Sequence, residues 1–300
     1  MKRIAFLLLS GLAACGGGGA GGSGLRGSVV VDGSSTVAPI SEAVAEEFNA
    51  EEPRVRVSVG TSGTGGGFKR FCAGEIDLAD ASRAIKDEEK RACADNGVEF
   101  VELLVALDGL AVVTSTDTKF LSCLSFEQLR RIFEDGGASR WRDVDPAFPD
   151  ENIDIFAPGT DSGTYDFFVE EVLGEDVKPR TDYQASEDDN TIVQGIQGEE
   201  GSWGFFGFAY FKENREGLKA IRVSEEPGGE CVVPNDETVR AGEYPLSRPL
   251  YIYAKKASLE KPAVREFVRF YLDVAPELVG YVGYTPAPAA DYTRGLEQIR

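Results

Sequence analysis

Three segments of this chain carry the same chemistry: Asp32-Gly33-Ser34-Ser35-Thr36, Gly60-Thr61-Ser62-Gly63-Thr64-Gly65-Gly66-Gly67 and Gly159-Thr160-Asp161-Ser162-Gly163-Thr164. Each gathers hydroxyls and glycines where a strand-like or loop stretch gives way to a helix pattern. At such a junction the first helical N–H groups lack intrahelical partners and the helix dipole is positive, so donors converge on a place suited to an anion. A single segment of this kind is an ordinary turn or N-cap. Three in one chain call for a fold that brings strand ends together. Alternating strands and helices do this, because an α/β sheet collects the carboxyl ends of its strands on one edge.

The hydrophobic pattern supplies that alternation. Gly27 to Val31 reads as a buried strand, followed by a helix from Pro39 to Asn49 with Ile40, Val44, Ala45 and Phe48 on one face. Val55 to Val59 alternates as a second strand, and a helix is expected from Gly67 to Ala73. Ile76 to Ala79 is a third short strand, ahead of a charged helix from Asp87 to Asn96. Val101 to Thr114, with Asp108 and Gly109 inside it, and Pro249 to Ala254 are apolar stretches able to cross between two bodies. Between them helices are predicted after Ser125 as N-cap, from Tyr165 to Leu173, and from near Asn190. Lys261 to Asp273 is amphipathic, with Val264, Phe267, Val268 and Tyr271 inward. With 300 residues and 42% hydrophobic content, two lobes are expected. Residues 28–106 with 249–300 make the first and residues 107–248 the second, joined by two strand crossings around a cleft that can hinge.

The beginning of the chain reads as an export signal: Lys2 and Arg3, the apolar run Ile4 to Leu9, then Leu12-Ala13-Ala14-Cys15. Leu-Ala-Ala-Cys resembles the lipobox of bacterial lipoproteins, which makes residues 1–15 a lipoprotein signal with Cys15 as the lipidated anchor. Residues 16–27 form a Gly-rich tether. Of five cysteines, four then remain in a compartment where disulfides persist. Three pairings are open. Grouping by lobe favours Cys72 with Cys93 and Cys123 with Cys231. No spacing is a CxxC, so neither a metal site nor a cofactor is expected. The chain has no histidine, which excludes Ser-His-Asp and Cys-His devices, and a net charge of −20 argues against nucleic acid as a partner.

An oxyanion held in a cleft needs several donors and a positive partner. The candidates are the hydroxyls and backbone N–H groups of Ser35, Thr36, Ser62, Gly63, Thr64, Ser82, Ser162, Gly163 and Thr164, with Arg83 offering a planar fork. Arg83 is the cation these loops contain, and its alternative fate is a salt bridge with Asp80 or Asp87. Nucleotide loops do not fit. Gly66 stands where a P-loop needs Lys, and Phe68 stands where a GxGxxG needs its last glycine. A serine nucleophile would have to rely on Lys69, which a helix carries away from Ser62.

Taken together, Val31 to Pro39, Gly60 to Phe68, Asp77-Leu78-Ala79-Asp80-Ala81-Ser82-Arg83 and Gly159 to Thr164 resemble the phosphate-binding lipoproteins of bacterial phosphate ABC transporters. Ser186-Glu187-Asp188-Asp189-Asn190 and Gly204-Phe205-Phe206-Gly207 resemble the cyanobacterial branch of that family. The resemblance implies a two-lobed α/β periplasmic binding protein, type II-like, closing on inorganic phosphate in the interlobe cleft. It also implies an extracytoplasmic, lipid-anchored, non-enzymatic and monomeric receptor whose protein partners are the permease subunits. Ser35, Thr36, Ser62, Ser162, Gly163 and Thr164 inherit donor roles by motif. The chain departs from the better-known branch at Ser82, where an Asp accepts a hydrogen bond from protonated phosphate, and at Pro158, where an Arg stands. Asp161 is the expected substitute, as acceptor or as the group that orients Arg83, with Asp188 and Asp189 behind it. Two other readings stay open. One is a receptor for sulfate, molybdate or another tetrahedral oxyanion. The other is an exported phosphate-ester hydrolase in which Asp77, Asp80 and Asp161 would gather a metal.

Overall fold

The computed structural model describes residues 24–300 other than Asp161 and Glu175. The calls on Cys15 and Asp161 therefore lie outside the described residues. In chain order the first elements are β1 (Gly27–Gly33), α1 (Ala38–Glu51), β2 (Val55–Gly60), α2 (Gly63–Cys72), β3 (Leu78–Ala81), α3 (Asp87–Asp95) and the long β4 (Phe100–Ser115). Next come β5 (Cys123–Ser125), α4 (Phe126–Phe133), α5 (Trp141–Val144), β6 (Asp154–Ala157) and α6 (Gly163–Phe168), which runs on as a π-helical stretch, Val169–Leu173. They are followed by β7 (Gln184–Ala185), α7 (Asp189–Gln197), β8 (Ser202–Gly207), α8 (Phe208–Glu213), β9 (Leu218–Ala220), β10 (Arg222–Ser224) and α9 (Asp236–Ala241). The chain ends with β11 (Ser247–Lys255), α10 (Lys256–Leu259), α11 (Pro262–Tyr281), β12 (Thr285–Pro286) and α12 (Ala289–Gln298).

One sheet of ten strands runs in the order β2-β1-β3-β11-β4-β8-β6-β7, with β9 and β12 also paired to β4. The trio β2, β1 and β3 is parallel, so the loops after these strands share one edge. β4 holds the sheet together. Its first part pairs antiparallel with β11 from Phe100 to Gly109, and its last residues pair with β8 and β9. The buried side chains divide at the same place. The largest core draws on residues from Leu107 to Leu246, whereas a second, under α1, α11 and α12, uses residues up to Ala106 and from Leu250 onward. A third cluster, around Phe68, Phe71 and Tyr253, fills the other face of the β1–β3 sheet. Cys72 is bonded to Cys93, stapling α2 to α3, and Cys123 to Cys231, closing a stretch of 108 residues.

Three elements differ from the sequence expectation. Helix α2 starts at Gly63 rather than Gly67, so most of the glycine run is helical. Glycine is a poor helix former, but contact overrides propensity here: a Cβ on Gly67 would come within 2.6 Å of the Gly33 Cα, so only glycine lets α2 lie against the end of β1. The predicted 165–173 helix begins at Gly163 and changes to π winding at Val169. Helix α11 passes Asp273 and even Pro276 to reach Tyr281, because Ala275 and Val279 continue its buried face. Two alanine substitutions in α2 separate packing from propensity. Gly67→Ala is expected to cost about 1–3 kcal/mol through the backbone clash. Gly65→Ala, whose Cβ would meet nothing nearer than Arg83 at 3.9 Å, should gain about 0.5–1 kcal/mol. Urea unfolding of the two variants checks both signs.

Candidate functional site

The turn after β1 is fixed from below. Asp80 in β3 accepts the Ser34 N–H on its carbonyl at 2.9 Å, and the Ser34 hydroxyl accepts the Thr36 N–H at 3.2 Å. Ser35 is left exposed at the entrance of α1, with Thr36 buried beside it. Buried Asp32 organises the second loop by accepting the Ser62 N–H at 2.9 Å and pairing with Arg70. Burial pushes the Asp32 carboxyl up, but Ser62 and Arg70 outweigh it and hold the group below the usual carboxylate range. In the third loop the Ser82 hydroxyl lies 3.0 Å from that of Thr64, and the Ser82 N–H donates to Thr64 Oγ1 at 3.2 Å. Arg83 does not pair with Asp80 or Asp87. Its fork binds Glu89 through Nη1 at 2.9 Å and Nη2 at 2.8 Å, and its guanidinium lies over the Phe68 ring.

The opposite wall begins with Ser162, the N-cap of α6, whose hydroxyl accepts the Thr164 N–H at 3.2 Å. Between the walls stands a residue that the sequence reading passed over, Arg248 in β11. It is 8% exposed. Its register partner on β4 is Asp108, and Nε donates to Asp108 Oδ2 at 3.2 Å. Nη2 donates to Thr36 Oγ1 at 3.0 Å and to the Gly163 carbonyl at 3.4 Å, while Nη1 lies 3.7 Å from Glu170. Its guanidinium stacks on Phe167, 4.0 Å from the ring centroid, so a planar cation is held on edge and face together. Burial pushes the Asp108 carboxyl up and Arg248 pulls it back. The sequence offered only an Asp inside one crossing stretch and an Arg at the start of the other, each needing a partner if buried, with nothing local to pair the two.

These parts enclose a cavity of about 290 Å³ lined by Ser34, Ser35, Thr36, Gly63, Thr64, Gly65, Ser82, Arg83, Lys86, Asp166, Glu170 and Arg248. Of the residues expected from sequence it therefore gathers Ser35, Thr36, Gly63, Thr64, Ser82 and Arg83. Ser62, Ser162, Gly163 and Thr164 are not among its lining residues. Ser62 has its N–H committed to Asp32, and Ser162 and Thr164 are bonded to each other, while Gly163 meets the site through its carbonyl on Arg248. Among the described residues, Glu89 is the carboxylate that holds Arg83. The lining offers hydroxyls and three cations facing two carboxylates. That is a place for a small, multiply hydrogen-bonded anion.

A family model described as a PBP superfamily domain matches residues 18–274. The chain belongs to the PBP superfamily. Within it, the chain is similar to Protein SphX of Synechococcus elongatus, 46% identical over 93% of this chain and 83% of that protein. It is also similar to the Phosphate-binding protein PstS of Staphylococcus saprophyticus, 40% identical over 96% and 89%. Among solved structures, a possible phosphate binding protein from Planctomyces limnophilus superposes with a TM-score of 0.88 at 44% identity, covering 92% of this chain and 98% of that one. The PBP fold seen here thus has relatives along nearly its whole length.

Beneath the β1 turn, Asp80 is 0% exposed and neither carboxyl oxygen has a hydrogen-bond partner among the described residues. Burial pushes its carboxyl up to about 7, and the charges of Asp32 and Glu42 add to the rise. A carboxyl raised on folding stabilises the protein fully below its unfolded value and loses that contribution as pH climbs through the folded one. Asp80→Asn should therefore gain stability over wild type on going from pH 4 to pH 8, by about 2–4 kcal/mol. Denaturant unfolding at the two pH values measures the difference.

Proposed function

We propose that this chain is an extracytoplasmic receptor that binds inorganic phosphate between two lobes, residues 28–106 with 249–300 and residues 107–248, and delivers it to an ABC transporter permease. The single observation that carries the reading is Arg248. It reaches Thr36 on one side of the cavity and Gly163 on the other from a strand at the crossing between the two cores. A tetrahedral anion seated against that fork would draw hydroxyls from one wall and charge from the crossing, so ligand contact and lobe closure become one event. The relatives named for phosphate binding support the choice of anion. In this reading the protein binds without chemistry, acts as a monomer, and is held to the membrane through a lipid on Cys15 and the Gly-rich tether.

Calorimetric titration of the purified protein with phosphate, repeated with sulfate and molybdate, tests it. Phosphate should bind tightly and sulfate should not displace it. Equal or better binding of sulfate would overturn the assignment. Arg248→Gln should weaken phosphate binding by at least about thirtyfold, since removing one partner of a buried, hydrogen-bonded charge pair costs about 2–5 kcal/mol. Gly163→Ala should raise the dissociation rate, because its Cβ would lie 3.1 Å from Thr36 Oγ1 and prop the walls apart. An unchanged rate in stopped-flow displacement would show that the walls need not meet at that point.

A further inference from the structure

The Asp80 carboxyl has no part in the site described above. The residue is 0% exposed, and both carboxyl oxygens lack a hydrogen-bond partner among the described residues. A carboxylate left bare in the interior is costly, so such a group holds its proton instead. The place of this acid ties it to the ligand loops. Asp80 pairs in register with Gly33 on β1 and with Ile252 on β11. Its carbonyl accepts the Ser34 N–H at 2.9 Å, and a Cβ on Gly33 would come within 2.1 Å of the same oxygen. The turn that brings Ser34, Ser35 and Thr36 to the cavity therefore rests directly on this residue.

Ile252, directly opposite on β11, belongs to the core under α1 and α11, so the Asp80 side chain is turned to the same face, toward the start of α1. The titratable groups that bear on it are Asp32 from β1, Glu42 from α1 and Tyr271 from α11. None of these is a cation. Ser41, in the first turn of α1, has its hydroxyl 3.1 Å from that of Tyr271. Burial and the charges of Asp32 and Glu42 bring the Asp80 carboxyl to about 7, where modest changes of pH alter its charge. The positive end of the α1 dipole favours a negative charge here. An anion at Ser35 and Thr36, at the entrance of the same helix, would draw on that same end. Two negative charges at one helix entrance repel, whereas a neutral carboxyl leaves the dipole to the anion.

We propose that Asp80 is a proton-binding site coupled to the anion cavity: an anion seated at Ser35 and Thr36 favours the neutral carboxyl, so that binding draws a proton from solvent onto Asp80. This rests on the phosphate reading above and adds a second, buried ligand to it, the proton, which never touches the anion. Coupling of this kind is reciprocal. Whatever factor the anion adds to the proton affinity of Asp80, the proton adds to the affinity for the anion. Affinity then falls as pH climbs and Asp80 ionises, apart from any titration of the ligand itself.

Calorimetric titration of wild type and Asp80→Asn with phosphate, in buffers of different ionisation enthalpy, counts the protons taken up on binding. The ligand's own protons are common to both proteins and drop out of the comparison. At pH 7.5 a carboxyl that titrates at about 7 is about one quarter protonated. A proton held about tenfold more tightly in the complex raises this to about three quarters, so wild type should take up about half a proton more than Asp80→Asn. At pH 5.5 the two should take up the same number. By pH 8.5 wild type should bind about eightfold more weakly, relative to Asp80→Asn, than it does at pH 5.5. Asp80→Ser, also neutral, carries the same expectation and serves if the Asn variant does not fold, with circular dichroism verifying the fold of each. If wild type binds phosphate but takes up no more protons than the variants at pH 7.5, or if the excess persists at pH 5.5, the proposal is wrong and the receptor reading stands. If wild type does not bind phosphate, both fall.

Discussion

The rest of the site depends on a buried guanidinium at the point where the chain passes from one core to the other. Arg248 lies opposite Asp108 on two adjacent antiparallel strands, and each is the charge partner that makes the other tolerable in a buried setting. Because β4 belongs to both cores, this pair sits neither in one wall nor in the other. It fixes the cation while leaving two sides of the fork facing Thr36 and Gly163. A surface arginine would have to be ordered by its ligand at the cost of side-chain entropy, whereas this one is ordered in advance by Asp108 and Phe167.

Electrostatics in this protein work on two length scales. The chain as a whole carries −20, but charge beyond about 8–10 Å through salt solution is screened. What a bound anion experiences is the nearby set: Arg248, Arg83 and Lys86 against Asp166 and Glu170. Arg83 and Arg248 have carboxylates of their own in Glu89 and Asp108, so the cavity is not strongly positive. An anion held there would rely on the direction of donors more than on net charge, while Asp32 and Asp80 hold the loop backbones and are not among the residues that line the cavity.

Much of this was legible in the sequence because the signals were local. A hydroxyl-glycine cluster between a strand and a helix declares a helix entrance, and Ser35, Thr36, Thr64, Ser82 and Arg83 do line one cavity. The crossings at Val101 to Thr114 and Pro249 to Ala254 were readable as largely apolar stretches, and β4 and β11 follow them closely. What escaped depends on pairing between residues far apart in the chain. Nothing near Arg248 in sequence indicates that it meets Asp108, 140 positions earlier. The early start of α2 escaped for a similar reason: glycines that look like a loop are helical because Gly67 lies against Gly33 in another strand. Glu89 escaped as the partner of Arg83 because Asp87 was nearer in sequence, while the turn into α3 brings the third residue of the helix back to the loop.

The most direct test of the central claim is a crystal structure of the protein grown with phosphate. A tetrahedral anion within about 3 Å of the Arg248 guanidinium, also bonded to Ser35 or Thr36, is the result this account predicts. Phosphate bound elsewhere, with Arg248 still occupied only by Asp108, Thr36 and Gly163, would contradict it.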